Sequence, residues 1–294
     1  MIGIVAHDAG AAEFLSSYLR RHEFDYMCCL EGAAVGTFAR KLGDVESHTL
    51  KTVLEHCDWL LCGTSYLSDL EWRATQECKI MGKRVVAVID HWVNYRQRFF
   101  RHGKWCFPDE VWVGDETALR IAKSELPEVV VSLVDNPYYR DVLAELDAIE
   151  VAPRTEGGGA RILYVCEPVR EDCLACYGDE RFLGYTEEDA LRYFLTNVAS
   201  TGIDIDKITI RPHPQENRDK YIWALEEFDL PISTGECETL LEQISSSDMV
   251  AGCASMAMVV GLIAGKRVVS CIPPGGKAIP LPHQGIENFE DLIR

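Results

Sequence analysis

In the stretch ITIRPHPQE, residues 208 to 216, a β-branched run stops abruptly at Arg211-Pro212-His213-Pro214. Pro212 and Pro214 fix their own φ and hold the residues before them extended, so Arg211 and His213 stand on stiff backbone instead of continuing into helix. Arginine offers a planar fork to phosphate or carboxylate, and histidine exchanges a proton near neutral pH. Together they have the chemistry of an anion clamp. The competing reading is that proline merely ends the strand and His213 caps backbone groups.

Two further polar groups follow apolar runs in the same half of the chain. Glu167 comes after RILYVC, and Gly252-Cys253-Ala254-Ser255 leads from DMVAG into the helical pattern SMAMVVGLIAG. A helix opening near Met256 would aim free N–H groups and a positive dipole end at an anion, and the Ser255 hydroxyl serves equally well as its N-cap. In the first half, carboxylates end two apolar runs: Asp8 in IVAHDAGAAEF and Asp90 in VVAVIDHWVNYRQRF. Either can act as a base toward a hydroxyl within hydrogen-bond reach. Asp8 reads equally as the N-cap of a helix beginning near Gly10, and Asp90 as a residue bonding its own loop. Both have histidine neighbours, but side chains alternate along a strand, so neither His7-Asp8 nor Asp90-His91 is expected to be a bonded pair.

Behind Asp90, residues Trp92, Asn94, Tyr95, Arg96, Arg98, Phe99, Phe100 and Arg101 form a basic, aromatic loop. Its rings suit stacking on sugars and its guanidinium groups suit carboxylates; a solvated helix face or a membrane-surface contact fits the same residues. Asp204-Ile205-Asp206 has the spacing of a carboxylate pair for a nucleotide-bound metal, but it precedes its strand and so lies at the amino end. Ligands of α/β sheets bind at carboxyl ends, so the expectation is no metal and no resident cofactor, with positive side chains and a helix terminus in the cation's place.

The elements that must position these groups alternate along the whole chain. IGIVA, DYMCCL, WLLCG, RVVAVI, VWVGD and VVVSLV are short apolar runs separated by helical patterns; RILYVC, KITIRP, DMVAG and KRVVSCI form a second series. Strands apolar on both faces belong to parallel sheets covered by helices. The Pro/Gly-rich VAPRTEGGGA divides the series, so two Rossmann-like α/β domains, 1–150 and 151–294, are expected to face a cleft. Residues from about 274 onward read as turns and a short helix.

At 294 residues the chain has room for two cores, and 47% hydrophobic with 26% charged residues is ordinary for a globular protein. A formal charge of −18 excludes a broad nucleic-acid-binding surface, so any anionic ligand must meet a local positive site. Twelve cysteines lie scattered in apolar runs, which suits reduced core residues; Cys173-Leu174-Ala175-Cys176 has no second pair to complete a zinc site. The start lacks a basic n-region and no apolar run is long enough to span a bilayer, so a cytoplasmic protein is expected, with peripheral attachment to the inner membrane left open. AHDAGAA keeps one glycine of a dinucleotide fingerprint, too few for that assignment despite Glu31 after the second run.

A His-Pro dipeptide at a strand end, followed about 40 residues later by a strand, a glycine and a serine opening a helix, resembles the donor domain of GT-B glycosyltransferases. The resemblance is nearest to bacterial sialyltransferases and polysialyltransferases, with Kdo (3-deoxy-manno-octulosonate) transferases and CDP-glycerol glycerophosphotransferases as related types. It implies an inverting, metal-independent transferase moving an acidic sugar from a CMP-linked donor to a carbohydrate or glycolipid acceptor. His213 and Ser255 would hold the donor phosphate, with Arg211, Pro214, Gly252 and Glu167 around them, and Asp90 or Asp8 would be the base. Those families carry an acidic motif ending in glycine, which Asp90-His91-Trp92 lacks. Two other functions fit the same layout: a UDP-sugar 2-epimerase or hydrolase, and a nucleotide-binding protein without turnover.

Overall fold

The first strand, β1 (Ile2–Ala6), is buried along its whole length, as a central parallel strand covered on both faces must be. It runs directly into α1 (Ala9–Arg20), and then come β2 (Tyr26–Leu30), α2 (Ala33–Leu42), α3 (Leu50–His56), β3 (Trp59–Cys62), α4 (Leu70–Ile80) and β4 (Arg84–Ile89). A small hairpin, β5 (Phe100–Arg101) and β6 (Lys104–Trp105), precedes β7 (Glu110–Val113), α5 (Glu116–Glu125), β8 (Val130–Leu133) and α6 (Pro137–Asp147). All six main strands are parallel, in the order β2-β1-β3-β4-β7-β8. This computed structural model describes residues 1–66, 68–150, 157–214, 216–234, 238–277, 281 and 284–293.

The second series is β9 (Ala160–Val165), α7 (Val169–Tyr177), α8 (Glu187–Asn197), β10 (Ile205–Arg211), α9 (Trp223–Glu227), β11 (Ile232–Thr234), α10 (Leu240–Ser246), β12 (Met249–Gly252), α11 (Met256–Ile263), β13 (Arg267–Ser270) and β14 (Ile286–Asn288). Its sheet is also parallel throughout, ordered β11-β10-β9-β12-β13-β14. The chain divides into two compact units, Met1–Asp141 and Val142–Arg294. Each has its own core. Ile4, Phe14, Leu15, Phe38, Leu61 and Val86 pack together in the first, and Tyr164, Leu191, Phe194, Ile208, Val269 and Phe289 in the second.

Helix starts follow the polar residues that precede them. Asp115 accepts from the Ala118 N–H at 2.7 Å, and Thr186 and Thr239 form reciprocal capping boxes with Asp189 and Glu242. Among the described residues no helix is long and apolar enough to cross a membrane. The described cysteines are free thiols, mostly buried, and so act as core filler. Cys173 and Cys176 lie on α7, the first buried and the second exposed. The expected connection around residues 151–160 and the terminal stretch from 274 fall partly outside the described residues.

The strand orders locate the topological switch points. Numbered within its own unit, the first sheet runs 2-1-3-4-5-6 and the second 3-2-1-4-5-6. Connections leave a sheet of the first kind in opposite directions between its first and third strands, and a sheet of the second kind between its first and fourth. Those positions are β1/β3 and β9/β12.

Candidate functional site

At the β1/β3 switch point the chain leaves the sheet through His7 and Asp8 on one side and Gly63, Thr64 and Ser65 on the other. Asp8 holds the N-cap position of α1 but makes no side-chain cap bond. Its Oδ1 instead accepts from Ser65 Oγ at 2.9 Å, tying the two strand ends together, and lies 2.7 Å from His7 Nδ1. The expectation that His7 and Asp8 would point apart is corrected here. Strand alternation ends at Ala6, and the turn into α1 brings successive side chains to the same side.

His7 is held from two more directions. Its backbone N–H donates to Glu71 Oε1 at 2.8 Å, and its ring lies over Gly32, where an added Cβ would sit 2.7 Å from Nε2. Gly32 has φ of +54°, so both its backbone and the ring above it favour glycine. Glu71, on α4, is buried with Oε2 unpartnered, and burial pushes its carboxyl up to about 7, with the Asp8 charge adding to the effect.

Asp90, after β4, packs its carboxylate against the first turn of α1. An added Cβ on Gly10 would lie 1.9 Å from Asp90 Oδ2, so the small residues after Asp8 make room for this side chain. Its Oδ1 is 3.5 Å from Arg98 Nη1, which also donates to the Thr64 carbonyl at 2.6 Å. The basic loop is largely consumed internally. Arg96 pairs with Glu128 and stacks on Trp105 and Phe107, Arg98 is buried, and Arg101 donates to the carbonyls of Ser65 and Tyr66. Trp92, Tyr95 and Phe99 are core residues, leaving Phe100 and Trp105 as the exposed rings of the β5/β6 hairpin. Trp92 Nε1 donates to Asp115, and the His91 ring nitrogen accepts from the Trp92 N–H.

The second unit repeats the device at β9/β12. Glu167, two residues beyond β9, accepts from the Ala254 N–H at 2.7 Å and so spans the two strand ends. Burial pushes its carboxyl up to about 7; the Ala254 hydrogen bond opposes that, and the nearby charges of Asp172 and Glu216 reinforce it. Ser255 caps α11, its Oγ accepting from the Ala257 N–H at 3.2 Å. The space over Gly252 is filled. An added Cβ would meet Val165 O at 2.8 Å, so the side of Gly252 that a side chain would take is packed against β9.

The RPHP residues are directed apart. Arg211 Nη1 donates to Gln243 Oε1 at 2.7 Å and to the Glu238 carbonyl at 3.0 Å, toward α10, so in this structure Arg211 is engaged away from His213. The His213 backbone N–H donates to Glu216 Oε2 at 2.8 Å, and Pro214 is exposed in the turn beyond. Burial lowers the His213 pKa, while Glu216 and Asp172 pull it back up. Glu216 Oε1 accepts from Tyr221 at 2.7 Å and Lys220 at 2.8 Å, and Lys220 also reaches Glu187 at 2.5 Å and Glu171 at 3.3 Å. Glu171, Glu187 and Glu216 are the one acidic trio among the described residues close enough to share a cation, and the Lys220 ammonium already fills it. Asp206 lies early in β10 and pairs with Arg161 at 2.9 Å.

Ser65, Glu71, Glu216 and Lys220 were not singled out by the sequence pattern. Ser65 was discoverable, since it follows WLLCG at a strand end; Glu71, Glu216 and Lys220 act through contacts with residues on other elements.

Two consecutive parallel α/β units with these strand orders, each carrying polar side chains at its switch point, give the chain the GT-B fold. The glycotransferase of kitacinnamycin superimposes with a TM-score of 0.64 at 11% identity, over 98% of this chain and 85% of that one. UDP-GlcNAc 2-epimerase from Methanocaldococcus jannaschii gives 0.63 at 11% identity, over 99% and 90%, and the enzyme from Neisseria meningitidis bound to UDP-GlcNAc gives 0.57 at 11%, over 92% and 81%. No protein-family model matches the sequence, and no curated protein matches it.

Proposed function

We propose that this protein is an inverting glycosyltransferase that takes an acidic sugar from a CMP-linked donor, a nonulosonate such as sialic, pseudaminic or legionaminic acid, or Kdo, and passes it to a glycan hydroxyl. The observation that carries the reading is the pair of switch points. In each unit the acid just after the first strand, Asp8 or Glu167, reaches across to the neighbouring strand end, so polar groups converge where open α/β sheets bind ligands.

In this reading the first unit serves the acceptor, with Asp90 or Asp8 as the base. The second serves the donor. Glu167 faces the sugar or ribose hydroxyls, while His213, the Ser255 hydroxyl and the start of α11 meet the phosphate. Arg211 joins them by turning away from Gln243. In this reading positive groups and the helix start take the place of a metal ion at the phosphate, while Asp206 pairs with Arg161 and the acidic trio with Lys220. Assembly of surface polysaccharide at the cytoplasmic face of a membrane is the setting that such a donor implies.

The test is a thermal-shift series with CMP, UDP, CDP and GDP, followed by nucleotide release from CMP-N-acetylneuraminate, CMP-Kdo and UDP-GlcNAc with and without added glycan. Stabilisation by CMP and acceptor-dependent CMP release are expected. Turnover of UDP-GlcNAc without an acceptor would instead establish the epimerase reading, which is favoured by the similar end-to-end superposition on the two epimerases. Stabilisation by a nucleotide with no turnover of any donor would identify a binding protein.

A further inference from the structure

We infer that His7 is the residue that takes the acceptor proton, with Asp8 and Ser65 as the positioning residues behind it. The inference rests on the transferase reading and assigns the base to a side chain other than the two carboxylates.

The geometry of the three candidates separates them. Asp90 is turned inward, with Oδ2 against Gly10 and Oδ1 toward the buried Arg98. Asp8 uses one oxygen, Oδ1, for both Ser65 and His7. His7 Nδ1 is therefore the hydrogen-bearing nitrogen, donating to Asp8, which leaves the lone pair on Nε2. That nitrogen makes no hydrogen bond among the described residues, and its side chain is 29% exposed. It lies beside the bare α-carbon of Gly32, where any side chain would cover it. The ring cannot drift, because the His7 backbone is bonded to Glu71 and its Nδ1 to an acid that Ser65 holds in turn. An imidazole oriented through Nδ1 by a carboxylate, with Nε2 left without a hydrogen-bond partner, is the arrangement that general bases use.

The step balances without a further reactant. The acceptor hydroxyl gives its proton to His7 Nε2 as its oxygen bonds to the anomeric carbon. The bond from that carbon to the nucleotide phosphate oxygen breaks, and its electron pair leaves on the phosphate. Asp8 stabilises the resulting imidazolium, which then returns the proton to solvent.

Two measurements on the full-length protein test this. Nitrogen-15 NMR of labelled histidines, with His7→Gln for assignment, reads the tautomer. His7 protonated on Nδ1 in the wild type, and shifted toward Nε2 protonation in Asp8→Asn, is expected; Nε2 protonation in the wild type overturns the pairing and the base assignment with it. CMP release from CMP-N-acetylneuraminate with lactose as acceptor reads the chemistry. His7→Ala should lower the acceptor-dependent rate roughly 100-fold or more with little change in donor KM, and added imidazole should restore part of it. His7→Gln, which keeps the volume, should be equally slow. His7→Ala within threefold of the wild type overturns the inference while leaving the transferase reading intact. A wild type that releases CMP from neither CMP-N-acetylneuraminate nor CMP-Kdo with any added glycan sinks that reading and the base assignment together, a result told apart by the inactivity of the unsubstituted protein.

Discussion

Two buried acids, Glu71 and Glu167, are pushed up to about 7 by burial, and each bonds one backbone N–H at a switch point. The sign of their effect follows from linkage. Between the ordinary carboxyl value of 4.5 and about 7 the folded protein keeps a proton that the unfolded chain has lost. Stability therefore falls as pH rises through that window and levels off above it. Glu71→Gln preserves an acceptor for the His7 N–H and removes the titration. Its melting temperature should exceed that of the wild type by several degrees at pH 8, on the order of 2 to 3 kcal/mol, and approach it near pH 4. A difference that does not change with pH would show that folding leaves the Glu71 carboxyl unshifted. His213 is shifted the other way, its pKa lowered by burial, which favours the neutral imidazole in the free protein. Phosphate binding should draw a proton onto it, seen in calorimetry as a binding heat that depends on the ionisation enthalpy of the buffer. His213→Ala should abolish that uptake and weaken CMP roughly tenfold, a loss of about 1.4 kcal/mol.

Among the elements, α1 shows how a helix start is shaped by what packs on it. Gly10 lies in its first turn, and Gly10→Ala would place a methyl group 1.9 Å from Asp90 Oδ2. The carboxylate or the helix must move, so a loss of about 1 to 3 kcal/mol is expected, with a matching drop in melting temperature. Gly36, inside α2, has nothing within 4 Å of an added Cβ, and Gly36→Ala should raise stability by up to about 1 kcal/mol. Equal effects from the two changes would mean that Asp90 does not press on Gly10. The central strands were legible because runs such as IGIVA and RVVAVI are apolar on both faces, which only covered parallel strands require. The edge strands β11 and β14 were not. They are three residues long, half-buried or exposed, and carry too little apolar pattern to mark themselves.

For the whole molecule the dominant quantity is the charge of −18. On the proposed reading an anionic donor approaches against that field, and the second site adds Asp172 and a partly ionised Glu167. Salt screens the repulsion, so CMP should bind no more weakly, and associate faster, as ionic strength rises from about 0.01 M to about 0.15 M. Stopped-flow association rates check this; a steep decline with salt would reveal a positive funnel. Each unit also carries its own hydrophobic core, which is why the alternation of runs could be read twice along the chain.

The sequence by itself determined that two α/β units follow one another, and that polar residues stand at the carboxyl ends of particular strands. Burial patterns and proline and glycine punctuation are local properties, and local properties are written in order along the chain. It also singled out Asp8, Asp90, Glu167, His213 and Ser255 by their positions after apolar runs. Which way those side chains turn was a tertiary matter. Strand order is a pairing of distant segments, so only the folded sheets put Ser65 beside Asp8 and Ala254 beside Glu167. The same contacts drew Arg211 toward Gln243, closed the space over Gly252 and joined His7 to its neighbour once the strand had ended. Hydrogen bonds over 57 and 87 residues of separation depend on loop closures that no local pattern records.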